Sequence, residues 1–148
     1  MSLRFNHRVV NAPVFKAMRA LEQQAGERIK DKVSYELVKI RVSQINGCAF
    51  CLDMHAKELL KLGDYADHIL LLSVWHEVPL FTAKEKVLLE LAEAVTLISQ
   101  QGVPAPLYDK VMEHFSQEEY VDWILAMNTI NNWNRMAIST GMYPGCFD

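Results

Sequence analysis

No stretch of this chain approaches the ~20 apolar residues that a membrane-spanning helix requires. The longest apolar run, Ile69 to Trp75, is far shorter and is broken by Ser73. The opening MSLRFNHRVV has no long apolar core of the kind a secretory signal carries, so the expected compartment is the cytoplasm. Basic charge is in short supply: 15 Lys and Arg stand against 18 Asp and Glu, for a formal net charge of −3. That balance argues against nucleic acid as a partner, which would want clustered Lys and Arg. There is no low-complexity tract and no repeat at solenoid period. No segment alternates apolar and polar residues with β-branched enrichment, and Val9-Val10 is too short to count as a strand. Cysteines are few as well: three, an odd number, in a setting where structural disulfides are rare.

What remains is a chain of 148 residues, 51% of them hydrophobic, which matches one ordinary globular domain spanning 1–148. A chain of this size buries enough surface to fold without a disulfide or metal staple. The punctuation is helical throughout. Pro13 suits the first turn of a helix reaching about Lys30. Asp31 or Ser34 caps a second, carrying Leu37, Ile40, Val42 and Ile45, and Asn46-Gly47 stops it. A third runs through Leu52, Ala56 and Leu59 to Gly63. Asp64 is placed to cap a fourth, which Pro79 breaks. Thr82 with Glu85, and Ser116 with Glu119, have capping-box spacing and open two more, the first reaching Ile98 and the second reaching about Ser139. A short helix ending near Phe115 lies between them. The expected fold is all-α, with about seven helices.

Two of the three cysteines form the motif NGCAFCLDMH, residues 46–55. A CxxC alone is weak evidence, since roughly one shuffled chain in 25 with three cysteines would show one. Its placement is more informative. If Gly47 ends one helix, Cys48 falls near the N-cap of the next and Cys51 one turn inside it. Unpaired N–H groups and the helix dipole there favour a thiolate, the reactive form of cysteine. His55 lies on the same face, four residues past Cys51. If the flanking helices form an antiparallel hairpin, Glu36 comes alongside His55 with an axial offset of about 4.5 Å. A Glu36–His55–Cys chain of contacts can orient an imidazole and move a proton to or from sulfur. Helix position alone leaves open which cysteine attacks. Zinc is the rival reading, because Cys48, Cys51 and His55 are all good ligands, but no fourth donor is evident nearby. Buried thiols packing as small apolar groups are the bland one.

The spacing E-x11-C-x2-C-x3-H, over Glu36, Cys48, Cys51 and His55, resembles the signature of the AhpD-like alkylhydroperoxidases, in the carboxymuconolactone decarboxylase superfamily. The segments ELVKIRVSQINGCAFCLDMHAKELLKLG, WHEVPLFTAKEKVLLELAEAVTLIS and NTINNWNRMAIS also resemble it. The resemblance implies an all-helical fold, assembly as a homo-trimer or homo-hexamer, and reduction of a hydroperoxide substrate by the CxxC dithiol. It further implies Cys51 as the peroxidatic thiol, Cys48 as the resolving thiol, and Glu36 with His55 as a proton relay. An external dithiol, lipoyl or thioredoxin-like, would restore the pair; no cofactor is called for. One branch of the family has a second histidine between its cysteines, where this chain has Phe50. Alternatives on the same fold are a redox sensor or zinc-binding protein without turnover, and a decarboxylase-like enzyme, whose plain members lack the CxxC.

The other polar features take packing readings. His7, His68, His76 and His114 are expected as core or surface histidines, and Cys146 as a terminal residue. Asparagine is a poor helix former, so NTINNWNR, residues 128–135, is expected as a polar face between subunits rather than as pocket lining. Trp75, Trp123 and Trp133 are expected in the core or an interface.

Overall fold

A computed structural model describes residues 2–148. Among these the chain forms nine α-helices and no strand. They are α1 (His7–Val10), α2 (Ala12–Arg28), α3 (Lys32–Asn46), α4 (Ala49–Leu60), α5 (Ala66–Leu71), α6 (Ala83–Thr96), α7 (Ile98–Gln101), α8 (Ala105–Met112) and α9 (Gln117–Thr140). A 3-10 segment, Leu72–Glu77, continues α5. The fold is all-α as expected. The count exceeds seven because α1 is a separate single turn, and because the backbone breaks at Leu97 (φ −100°, ψ 37°), detaching α7 from α6. The cysteine pair therefore opens the fourth helix in chain order, not the third.

Most of the caps fall where the sequence puts them. Asp31 is the N-cap of α3, accepting from Ser34 N–H at 3.1 Å. Both capping boxes close: Thr82 with Glu85 on α6, and Ser116 with Glu119 on α9. Asp64 does not cap. The N-cap of α5 is Tyr65, with no side-chain hydrogen bond, because the helix opens at Ala66 and leaves Asp64 outside capping position.

Helix α3 is the hub, packed against α4, α6 and α9. It serves two cores because its apolar positions fall on two faces. Leu37 and Ile40 join Leu59, Leu72, Trp75 and Leu89. Val38 and Val42 join Leu88, Leu91, Met127 and Ile130, a cluster that also takes in Cys48 and Cys51. Helix α2 lies along α9. At the far end of α9, Gly141 is left-handed (φ 75°), and a Cβ there would collide with the carbonyl of Ser2. The N-terminal segment thus crosses close over the end of α9, tied by Arg4 N–H to Thr140 O at 2.9 Å. That crossing leads into α1, which lines one cavity together with residues of α4.

Candidate active site

Gly47 makes the geometry of the CxxC possible. It ends α3 in the left-handed region (φ 72°, ψ 34°), a conformation that costs an L-residue about 1 kcal/mol or more. The reversal brings Cys48 to the N-cap of α4, where its Sγ accepts from Cys51 N–H at 3.3 Å. The two sulfurs are joined as a disulfide, with the Cα atoms 5.4 Å apart. Both residues are 1% exposed. The pair thus sits at the positive end of a helix, shielded from bulk water.

One turn further, His55 is also buried, and its Nδ1 lies 2.8 Å from Glu36 Oε2 on α3. A carboxylate only accepts, so Nδ1 carries the proton and Nε2 is left as the basic nitrogen. The expected register of the α3–α4 hairpin is met: Glu36, Cys48, Cys51 and His55 converge. Glu36 is not the solvated first-turn carboxylate it would be in an isolated helix.

An asparagine cluster pins the α3–α4 turn from behind. Asn46 Nδ2 donates to Asn131 Oδ1 and to Asn134 Oδ1, both at 2.9 Å. Asn134 Nδ2 donates to Ser43 Oγ at 3.0 Å. Asn131 Nδ2 donates to Met127 O at 2.8 Å and to Thr96 Oγ1 at 3.2 Å. The subunit-interface reading is therefore corrected for Asn131 and Asn134, which are buried and paired within the chain. Only Asn128 and Asn132 are exposed.

A cavity of about 300 Å³ opens over Cys51 and His55; Cys48 is not among its lining residues. Phe15, Phe50, Met54 and Trp133 contribute its apolar wall, and His7, Arg8, Arg19 and Glu22 its polar one. Trp133 is thus a cavity residue rather than simply core or interface. Phe50 packs edge-on against Phe147 of the C-terminal segment, with centroids 6.1 Å apart. Cys146 is half-buried against the same core rather than a loose end.

The polar wall escaped the sequence reading. His7 is 5% exposed, packed edge-on against Phe15 at 5.7 Å. Burial, then the charge of Arg8, holds its imidazole below the ordinary value. Glu22 forms a partly buried ion pair with Lys39 and accepts from Tyr35 Oη at 3.1 Å. Burial raises its pKa, but Lys39 and Tyr35 outweigh burial and hold the carboxyl below its usual range. Tyr35 is pushed well up by burial and by Glu22. No local signal in the sequence marks His7, Arg8, Arg19 or Glu22. His68, His76 and His114 remain packing residues beside Tyr65, Trp75 and Phe115. Among the described residues no three His, Cys, Asp or Glu side chains are arranged to hold a metal ion.

The model of the Carboxymuconolactone decarboxylase family matches residues 12–94, which include α3, α4 and all four converging residues. The chain belongs to this family. A member-like relative, the uncharacterized protein YdfG of Bacillus subtilis, is 41% identical over 95% of this chain and 96% of its own length. The fold is shared with a crystal structure from Agrobacterium tumefaciens, ATU0492, at a TM-score of 0.93 and 39% identity, covering 97% of this chain and 99% of that one. ATU0492 is described as a protein of unknown function and a candidate antioxidant defence protein AhpD. The alkyl hydroperoxide reductase AhpD of Coxiella burnetii is 52% identical over 33 residues, which are 22% of this chain and 19% of that protein. The all-α fold expected from the AhpD-like signature is thus the observed one. No helix among the described residues is long and apolar enough to cross a membrane.

Proposed function

We propose that this family member is a thiol peroxidase that reduces hydroperoxides through Cys51 and Cys48. The observation that carries the reading is the cavity, which is lined by Cys51 and His55 but not by Cys48. A peroxide entering it meets Cys51, so that thiol attacks and Cys48 resolves. The names of the AhpD relatives point to the same chemistry.

His55 Nε2 takes the proton of the Cys51 thiol, while Glu36 steadies the imidazolium through Nδ1–H. The thiolate attacks one peroxide oxygen, the O–O bond breaks, and the departing alkoxide takes the proton back from His55 as alcohol. Cys51 is now a sulfenic acid, and the Cys48 thiol displaces water from it to form the disulfide. A lipoyl or thioredoxin-like dithiol returns two electrons and two protons by exchange. Phe50 leaves no histidine between the cysteines, so this relay uses one imidazole on α4.

Stopped-flow peroxide consumption with an external dithiol tests the proposal. Cys51→Ser is expected to abolish turnover, and Glu36→Gln to slow it by roughly a hundredfold, the usual scale of positioned acid–base catalysis. Wild-type rates in Cys51→Ser would overturn the assignment. A protein that oxidises once and is not recycled by any dithiol would instead be a sensor.

The cytoplasm and a homo-trimeric or homo-hexameric assembly belong to the same proposal. Val9, Val10, Leu70, Ile98 and Val121 are exposed apolar side chains that a partner copy would cover. A monomer by light scattering at micromolar concentration would refute the assembly.

A further inference from the structure

The polar wall of the cavity carries unmet bonding capacity. Among the described residues, the buried side-chain N and O atoms without a hydrogen-bond partner are His7 Nδ1, His7 Nε2, Arg8 Nε and Glu22 Oε2. All belong to residues lining this one cavity. Buried polar groups are nearly always paired, and an orphan of this kind costs about 1–3 kcal/mol. Four orphans gathered around one void, and none elsewhere among the described residues, are the pattern of a site shaped for a polar guest.

The charges say which guest. Glu22 is matched by Lys39, and Glu36 faces His55. Arg8 and Arg19 form no ion pair among the described residues. Both guanidinium groups instead lie against the Phe15 ring, at 5.6 and 5.9 Å from its centroid, and Arg8 also stacks on Phe147 at 4.2 Å. Stacking on two rings holds the Arg8 fork in place without using its N–H groups. So a chain of net charge −3 keeps two uncompensated cations at one cavity. Arg8 is the deeper of the two, and Arg19 is exposed at the mouth. Planar guanidinium groups are matched to carboxylates, which accept two parallel N–H bonds.

Resting on the peroxidase reading for its chemistry, we infer that the preferred substrates are compact organic hydroperoxides that carry a carboxylate. Arg8, helped by Arg19, takes the carboxylate. Phe15, Phe50, Met54 and Trp133 enclose the apolar body, and about 300 Å³ sits at the small end of ligand pockets, roughly 300–1,000 Å³. Burial favours the neutral form of His7, whose N–H can donate to a carboxylate or peroxide oxygen and whose lone pair can accept from the peroxide O–H.

Calorimetric titration with unreactive mimics separates this inference from the peroxidase reading. The full chain is titrated with 4-isopropylbenzoate and with the neutral 4-isopropylbenzamide. The carboxylate is expected to bind roughly tenfold or more tightly, the scale of a charged hydrogen bond. Arg8→Gln should remove most of that preference, Arg8→Lys should keep part of it, and Arg19→Gln should weaken it. Equal binding of the two mimics by wild type would overturn the inference. So would a preference undiminished in both Arg8→Gln and Arg19→Gln. Should Arg8→Gln fail to fold, Arg8→Lys and Arg19→Gln read the same quantity. A carboxylate preference in a protein that consumes neither cumene hydroperoxide nor its 4-carboxylate would sink the peroxidase reading and leave the ligand class standing. Turnover of both at equal kcat/KM would do the reverse.

Discussion

The asparagine cluster behind the α3–α4 turn and the polar lining of the cavity are alike in makeup and opposite in saturation. The first joins α3 to α6 and α9; the second is supplied by α1 and α2, facing α4. In the first, Asn46, Asn131, Asn134, Ser43 and Thr96 bond to one another. In the second, His7, Arg8 and Glu22 each keep a buried atom with no partner. A closed polar network holds a structure in one arrangement, because every alternative breaks a bond in a low-dielectric interior. An open one is a standing cost, tolerated where another molecule supplies the missing partner. The contrast assigns the first cluster to architecture, fixing the turn that presents Cys48, and the second to recognition.

The largest expected effect comes from opening the closed cluster. Asn134 is 0% exposed, and Asn134→Ala would leave Ser43 Oγ without its donor and a small void beside it. The loss should be about 3 kcal/mol in denaturant unfolding, from the orphaned group together with the cavity. Because Asn46 would also lose one of its two anchors, the cysteine pair should become easier to reduce. A cost below about 1 kcal/mol would mean the network is ornamental, and the contrast would collapse.

The parts of this molecule legible in its sequence are those decided over one or two turns. Thr82 with Glu85, Ser116 with Glu119, and Gly47 act on neighbours three residues away, so their spacing alone placed those helix ends, while the start of α3 was left between Asp31 and Ser34. The Glu36–His55 contact was legible for a related reason: a tight turn fixes the register of the two helices it joins. Asp64 failed as a cap because a one-residue shift of the helix start is below what propensity resolves. The asparagines stood out as odd for a helix, but their partners lie 85 and 91 residues away, and no periodicity reports such a pairing. The polar wall was invisible for the same reason. His7, Arg8 and Arg19 reach the cysteine helix only because α2 lies along α9 and the N-terminal segment crosses its end.

The smallest effect should come from the open cluster, with the opposite sign. His7→Phe removes two unpaired nitrogens and keeps an aromatic ring beside Phe15 and Trp133. Replacing an unmet polar group by an apolar one of similar shape is neutral or stabilising, here by up to about 1 kcal/mol. The pH dependence sharpens the test. His7 titrates below its ordinary value of 6.5 in the fold, so the unfolded chain takes up the proton first as the solution acidifies. Its contribution to stability is therefore complete above about pH 6.5 and is lost as pH falls from there toward the folded value. Thermal unfolding of wild type should show that decline, and His7→Phe should flatten it. A stable, pH-flattened variant that binds the carboxylate mimic less well would show a residue kept at the expense of the fold. A destabilised one would place His7 with the asparagines, as architecture.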